Sequence, residues 1–133
     1  MINWLLVALG GAIGASARYG VNQWIVHAVG ANHWLKAFPF GTLIVNISGS
    51  LLLACLFVIT QHHAQQQSLW LLFGVGVLGA FTTFSTFSLE LVQLAQQGEY
   101  LKATFFASAN FIGCIAAVVL VLWLKSFILA IWN

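Results

Sequence analysis

The sequence predicts an all-α integral membrane protein with four spanning helices per subunit, the third interrupted in mid-membrane. Three observations carry that prediction. The chain is 62% hydrophobic and 5% charged, with a mean hydropathy of +1.00, whereas a water-soluble domain has roughly a quarter charged residues. Hydropathy breaks divide it into stretches at about 3–28, 38–60, 68–96 and 101–131, each long enough for the ~20 residues that a spanning helix needs. The third stretch carries a run of glycines and hydroxyls where the others carry carbon. Nearly the whole chain, residues 1–133, is thus one four-span membrane domain with no soluble catalytic part left over.

Span one, "MINWLLVALGGAIGA" onward, has no basic residue ahead of its apolar run, and the pattern continues past Arg18. It is expected to be a retained helix and not a cleaved leader. Gly10 and Gly14 form a G-x-x-x-G step, which lets helix backbones approach closely. Arg18 ends that face. It either snorkels to the interface, anchors a carboxylate, or draws anions to a vestibule.

Span two opens at "FPFGTLIVNISGS". Pro39 suits a helix start, where its missing N–H costs nothing. Thr42, Asn46 and Ser50 share one face. The hydroxyls can bond back to the preceding turn. The Asn46 carboxamide needs partners for two donor hydrogens and an acceptor, which leaves interhelical adhesion and the lining of a solute path as its two readings.

Span three holds "GAFTTFSTFSLE" at 79–90. Thr82, Thr83, Ser85, Thr86 and Ser88 alternate with Phe81, Phe84 and Phe87. Glycines and hydroxyls are where a membrane helix can break, since side chains re-satisfy the freed backbone. Broken helices mark ion sites, with carbonyls toward cations and N–H groups toward anions. Phe84 and Phe87 fall on nearly one helical face. An aromatic ring has a positive edge, so paired edges attract an anion without the fixed charge that would hold it too tightly to release. Aromatic packing with back-bonded hydroxyls is the plainer reading. Glu90, near the end of this span, is the one acid within a span, and a pairing with Arg18 stays open.

Span four has small residues at Ala109, Gly113 and Ala117, and Asn110 is its deep polar outlier, with Ser108 and Thr104 nearby. Gly76 and Ala80 make a similar step in span three. Four short helices hardly enclose a water-lined route alone, so assembly is expected. Cys55 and Cys114 stand singly in mid-span, as small hydrophobes do. His27, His33, His62 and His63 match no metal spacing and read as interfacial. A net charge of +2 implies no nucleic acid. Lys125 and the amino terminus share one side of the membrane, and Lys36 and Lys102 the other. The Lys/Arg excess that sets orientation is therefore about one charge, which leaves open a weakly encoded topology or insertion both ways up.

Over essentially its full length the chain resembles the CrcB/Fluc family of fluoride channels. The resemblance lies in "GGAIGASARY" at 10–19, "GTLIVNISGS" at 41–50, "GAFTTFSTFSLE" at 79–90 and "QQGEY" at 96–100. It implies a passive fluoride-selective channel of the cell (inner) membrane that relieves toxic fluoride. It also implies an antiparallel, dual-topology homodimer in the lipid bilayer, with two pores and a central structural sodium ion. Carried over, Asn46, Phe84 and Phe87 match pore residues, and Ser85 and Thr86 match a hydroxyl track. Gly79 and Thr82 match positions whose backbone carbonyls hold sodium, and Arg18 the family's first-span arginine. In span four some members place Tyr and Ser along the pore, where this chain offers Phe105, Phe106, Ser108 and Asn110. The alternative is a small dual-topology coupled exporter, which needs a titratable acid in the membrane; span one has none, and Glu90 lies toward an end. A structural subunit leaves the hydroxyl–phenylalanine run unexplained. An intramembrane enzyme lacks any His/Asp/Cys constellation, so no enzyme is expected.

Overall fold

The computed structural model describes residues 1–29, 38–61 and 66–132; His33, Lys36, His62 and His63 lie outside them. Four of its helical stretches are long and apolar enough to cross a membrane: Ile2–Ala28, Phe40–Thr60, Gln67–Gln96 and Tyr100–Ser126. The elements are α1 (Ile2–Val29), α2 (Phe40–Thr60), a third span in pieces, and α6 (Tyr100–Trp132). The third span comprises α3 (Gln67–Leu69), a π-helical stretch (Trp70–Leu78), α4 (Gly79–Phe81) and α5 (Phe84–Gln96). Pro39 takes the N-cap of α2, one residue before the helix that was expected to include it, and its carbonyl accepts from Leu43 N–H at 3.2 Å.

The expected interruption is present. Thr82 and Thr83 are extended (ψ 156° and 118°), so the helix stops at Phe81 and restarts at Phe84. The π stretch ahead of it was not foreseen; its wider register survives in the Gly79 N–H bond to the Gly74 carbonyl, five residues back. The break lets the two halves of the span serve different neighbours. The half before it packs on α1, and α5 packs on α6.

The contact with α1 is backbone on backbone. A Cβ at Gly10 would strike the Leu72 carbonyl, and one at Gly14 the Val77 carbonyl; a Cβ at Gly76 would lie 2.8 Å from Gly10 Cα. The small-residue faces of spans one and three are thus used against each other within the subunit. On the other side, α2 packs on α6, where Ile47 fills the space over Gly113. Phe106, Leu94 and Ala103 form the buried centre here, with Phe38, Leu43, Phe87 and Leu91 packed on it.

The turn after α5 follows from "QQGEY". Gly98 adopts φ +76°, its N–H bonds to the Ala95 carbonyl at 3.0 Å, and Glu99 N–H to the Leu94 carbonyl at 2.9 Å. This is the Schellman ending, which glycine enters without a Cβ penalty. The span therefore stops sharply, and α6 returns across the membrane beside it. Lys102 Nζ pairs with Glu99 at 3.0 Å at this end.

Candidate functional site

The break leaves backbone groups without helical partners, and the side chains around it determine where they go. In an unbroken helix Thr83 N–H would bond to the Gly79 carbonyl and Thr86 N–H to the Thr82 carbonyl. Both donors are diverted. Thr83 N–H bonds to Asn46 Oδ1 at 2.8 Å, and Thr86 N–H to Thr83 Oγ1 at 3.2 Å. The Gly79 and Thr82 carbonyls are thereby released from the helix.

Asn46 reaches the break from α2. Its Nδ2 donates to the Thr83 carbonyl at 3.1 Å and to Asn110 Oδ1 at 3.0 Å. Together with the Thr83 N–H bond, these use both amide hydrogens and one acceptor site. The carboxamide thus pairs with the Thr83 peptide much as a neighbouring strand would. Asn110 Nδ2 in turn donates to the Phe106 carbonyl at 3.1 Å. Asn46 and Asn110 are both buried, as satisfied amides in a membrane interior must be. The adhesive reading of Asn46 is therefore realised within one subunit.

The hydroxyls are occupied as well. Thr83 is the N-cap of α5, and its Oγ1 donates to Thr86 Oγ1 at 3.0 Å and lies 3.2 Å from Ser85 Oγ. Capping of this kind stabilises a helix start by ~1 kcal/mol. Thr82 Oγ1 bonds back to the Leu78 carbonyl at 3.0 Å, and Ser88 Oγ to that of Phe84 at 2.8 Å.

Phe84 and Phe87 emerge from the first turn of α5 on one face, with ring centroids 5.4 Å apart and a tilt of 42°. Phe87 also packs on Phe106 at 5.2 Å, which fixes it from behind. Phe84 is 79% exposed, so its ring projects from the subunit. The pair borders an open groove of about 310 Å³ whose wall includes Asn46, Ser50, Thr83 and Asn110.

The other candidate residues divide in two. Asn110 joins the break through Asn46, whereas Ser108 is exposed on another face of α6. Arg18 and Glu90 do not form an ion pair: Arg18 Nε and Glu90 Oε2 each lie buried without a hydrogen-bond partner. Thr42, on α2, neighbours the Glu90 carboxyl without a formed bond between them. Among the described residues no group of three or more His, Cys, Asp or Glu is placed to hold a metal.

Sequence reasoning missed two roles at this site and one contact away from it. Thr83 acts both as N-cap and, through its peptide, as the anchor for Asn46; the Thr–x–x–Thr spacing before a helix was its signal. Phe106, among the span-four residues that the resemblance singled out, is fully buried behind Phe87, a role that its apolar neighbours do not distinguish. Away from the break, Asn22 sets its carboxamide against Gly41, a close approach that composition does not encode.

Comparison with known proteins places the chain in a family. Residues 5–122 match the family model described as "CrcB-like protein, Camphor Resistance (CrcB)". The chain is 48% identical over 126 residues to the "Fluoride-specific ion channel FluC" of Idiomarina loihiensis, covering 95% of this chain and 94% of that protein. It is 44% identical over 121 residues to the protein of that name in Aeromonas salmonicida, with 90% and 93% covered. A relative of the same name in Shewanella baltica is 44% identical over 120 residues, again with 90% and 93% covered. With an interrupted third span, paired phenylalanines at the restart and a match over most of its length, the chain belongs to the CrcB-like family of membrane proteins.

Proposed function

We propose that this chain is a passive fluoride channel of the cell membrane, not an enzyme, and that its anion path runs along the groove at the helix break. The observation that carries the reading is the placement of Phe84 and Phe87. Their rings stand at the restart of α5 beside an open, mainly apolar groove, in a chain whose relatives are named fluoride-specific channels. Ring edges supply weak positive potential, and the absence of a fixed cation there suits conduction, which requires release as well as binding. Asn46 lines the wall and holds the break, while the Ser85 and Thr86 hydroxyls meet the capping Thr83 hydroxyl at the helix start and do not border the groove.

The exposed Phe84 ring and the open groove favour completion of the path by a second subunit. The weak charge bias suits an antiparallel pair, with a path for each subunit. A structural sodium ion fits the Gly79 and Thr82 carbonyls, whose helical donors are diverted to Asn46 and Thr83. Such oxygens suit a hard cation; sodium would neutralise the break and tie two subunits together. Arg18, which ends the Gly10–Gly14 face, would stand at the vestibule and draw anions inward.

Efflux from liposomes holding the purified protein tests the reading. Fluoride should leave rapidly, followed with a fluoride electrode, while chloride stays. Equal release of both ions, or of neither, would contradict it.

A further inference from the structure

We infer that Asn110 is a positioning residue of the channel: it acts through Asn46 to hold the Thr83 peptide, and with it the ring pair, in place. The inference rests on the channel reading above. Its ground is a hydrogen-bond series with only one possible sense. The series starts at the Phe106 carbonyl, which can only accept, and ends at Thr83 N–H, which can only donate. Asn110 must therefore turn Nδ2 toward Phe106 and Oδ1 toward Asn46. Asn46 must turn Nδ2 toward Asn110 and the Thr83 carbonyl, which leaves Oδ1 for the Thr83 N–H. A flip of either amide would set donor against donor at two buried residues.

Without the Asn110 oxygen, one Nδ2 hydrogen of Asn46 is left buried and unbonded. The amide then gains by tilting toward any other acceptor, at the expense of its pairing with the Thr83 peptide. Phe84 directly follows Thr83, so movement of that peptide moves the ring. Asn110 borders the groove, but its effect on the rings passes through Asn46 and vanishes once Asn46 is gone.

A double-mutant cycle tests this, with Asn46→Ala, Asn110→Ala and the double variant compared as purified, correctly assembled protein in liposomes. Asn110→Ala should slow fluoride efflux about tenfold, the usual scale for one orphaned buried donor. The double variant should be no slower than Asn46→Ala alone. Losses that multiply would overturn the inference, since Asn110 would then act on its own, by meeting the ion or by packing. A second measurement needs no flux: amide hydrogen exchange at Thr83 in detergent, using Asn110→Ser, whose hydroxyl can bond back to the Phe106 carbonyl but is too short to reach Asn46. Exchange at Thr83 should quicken about tenfold while amides in the middle of α5 keep their protection. Unchanged protection at Thr83 would overturn the inference. A wild-type protein that passes no fluoride, yet loses Thr83 protection on Asn110→Ser, would refute the channel reading and leave the positioning role standing.

Discussion

Asn46→Leu tests what the clamp contributes, because leucine keeps the branching and heavy-atom count of asparagine while it removes all the hydrogen bonds. Three bonds are lost: those with the Thr83 N–H, the Thr83 carbonyl and Asn110 Oδ1, at 2.8, 3.1 and 3.0 Å. In water-filled surroundings solvent would replace them, but this site is buried. Interhelical hydrogen bonds in membrane proteins average ~0.6 kcal/mol and reach ~1.7, so the variant should lose roughly 2 to 5 kcal/mol. The lower figure applies if the freed Thr83 N–H swings back toward the Gly79 carbonyl and the helix partly reseals. Unfolding by sodium dodecyl sulfate in mixed micelles, followed by tryptophan fluorescence, gives the number. Ser48→Ala is the control, since the Ser48 hydroxyl only bonds back to the Ile44 carbonyl, and it should stay within ~0.5 kcal/mol of wild type. An Asn46→Leu protein as stable as that control would refute the argument that the carboxamide holds the break open.

Gly14→Ala drives a Cβ into the Val77 carbonyl and should cost about 1–3 kcal/mol, whereas Gly11→Ala, which meets open space, should change stability by less than ~0.5 kcal/mol; equal effects in the same assay would contradict the α1 packing. Thr82→Ala should keep sodium-dependent stability, because the proposed ligand is the backbone carbonyl and the hydroxyl is already spent on Leu78; its loss would make the hydroxyl the ligand. A single cysteine at Gln97, in a chain freed of Cys55 and Cys114, should react with an impermeant maleimide from outside intact cells in about half the molecules if both orientations are inserted. Labelling of all or none would rule out dual topology.

Hydropathy made the spans legible because a bilayer imposes length and apolarity on any helix that crosses it. The interruption was legible because glycines and hydroxyls gather where backbone groups must be satisfied locally. Asn46 announced that it needed partners, but these lie 37 and 64 residues away, and separations of that kind leave no trace in one sequence. The G-x-x-x-G face of span one promised a close contact without saying with what; the answer was the π stretch and not another subunit. That stretch was itself illegible, since a change of hydrogen-bond register needs no change in composition. Arg18 and Glu90 invited pairing as opposite charges, yet tertiary packing leaves them without each other. The resemblance singled out Phe106 with three other span-four residues, but not its burial behind Phe87, because in lipid a ring facing a ring and a ring facing an acyl chain look alike in sequence.

The central claim is that the edges of Phe84 and Phe87 form the fluoride path. Fluoride efflux from liposomes holding wild-type, Phe84→Ile, Phe87→Ile and Phe81→Ile proteins tests it most directly. Isoleucine keeps apolar bulk, with a packing cost usually below ~1.5 kcal/mol, and removes the ring quadrupole. With assembly intact by size-exclusion chromatography, efflux should fall sharply for Phe84→Ile and Phe87→Ile, while Phe81→Ile, whose ring lies against the Gly49 backbone, should change it much less. Wild-type rates in both Phe84→Ile and Phe87→Ile would contradict the account.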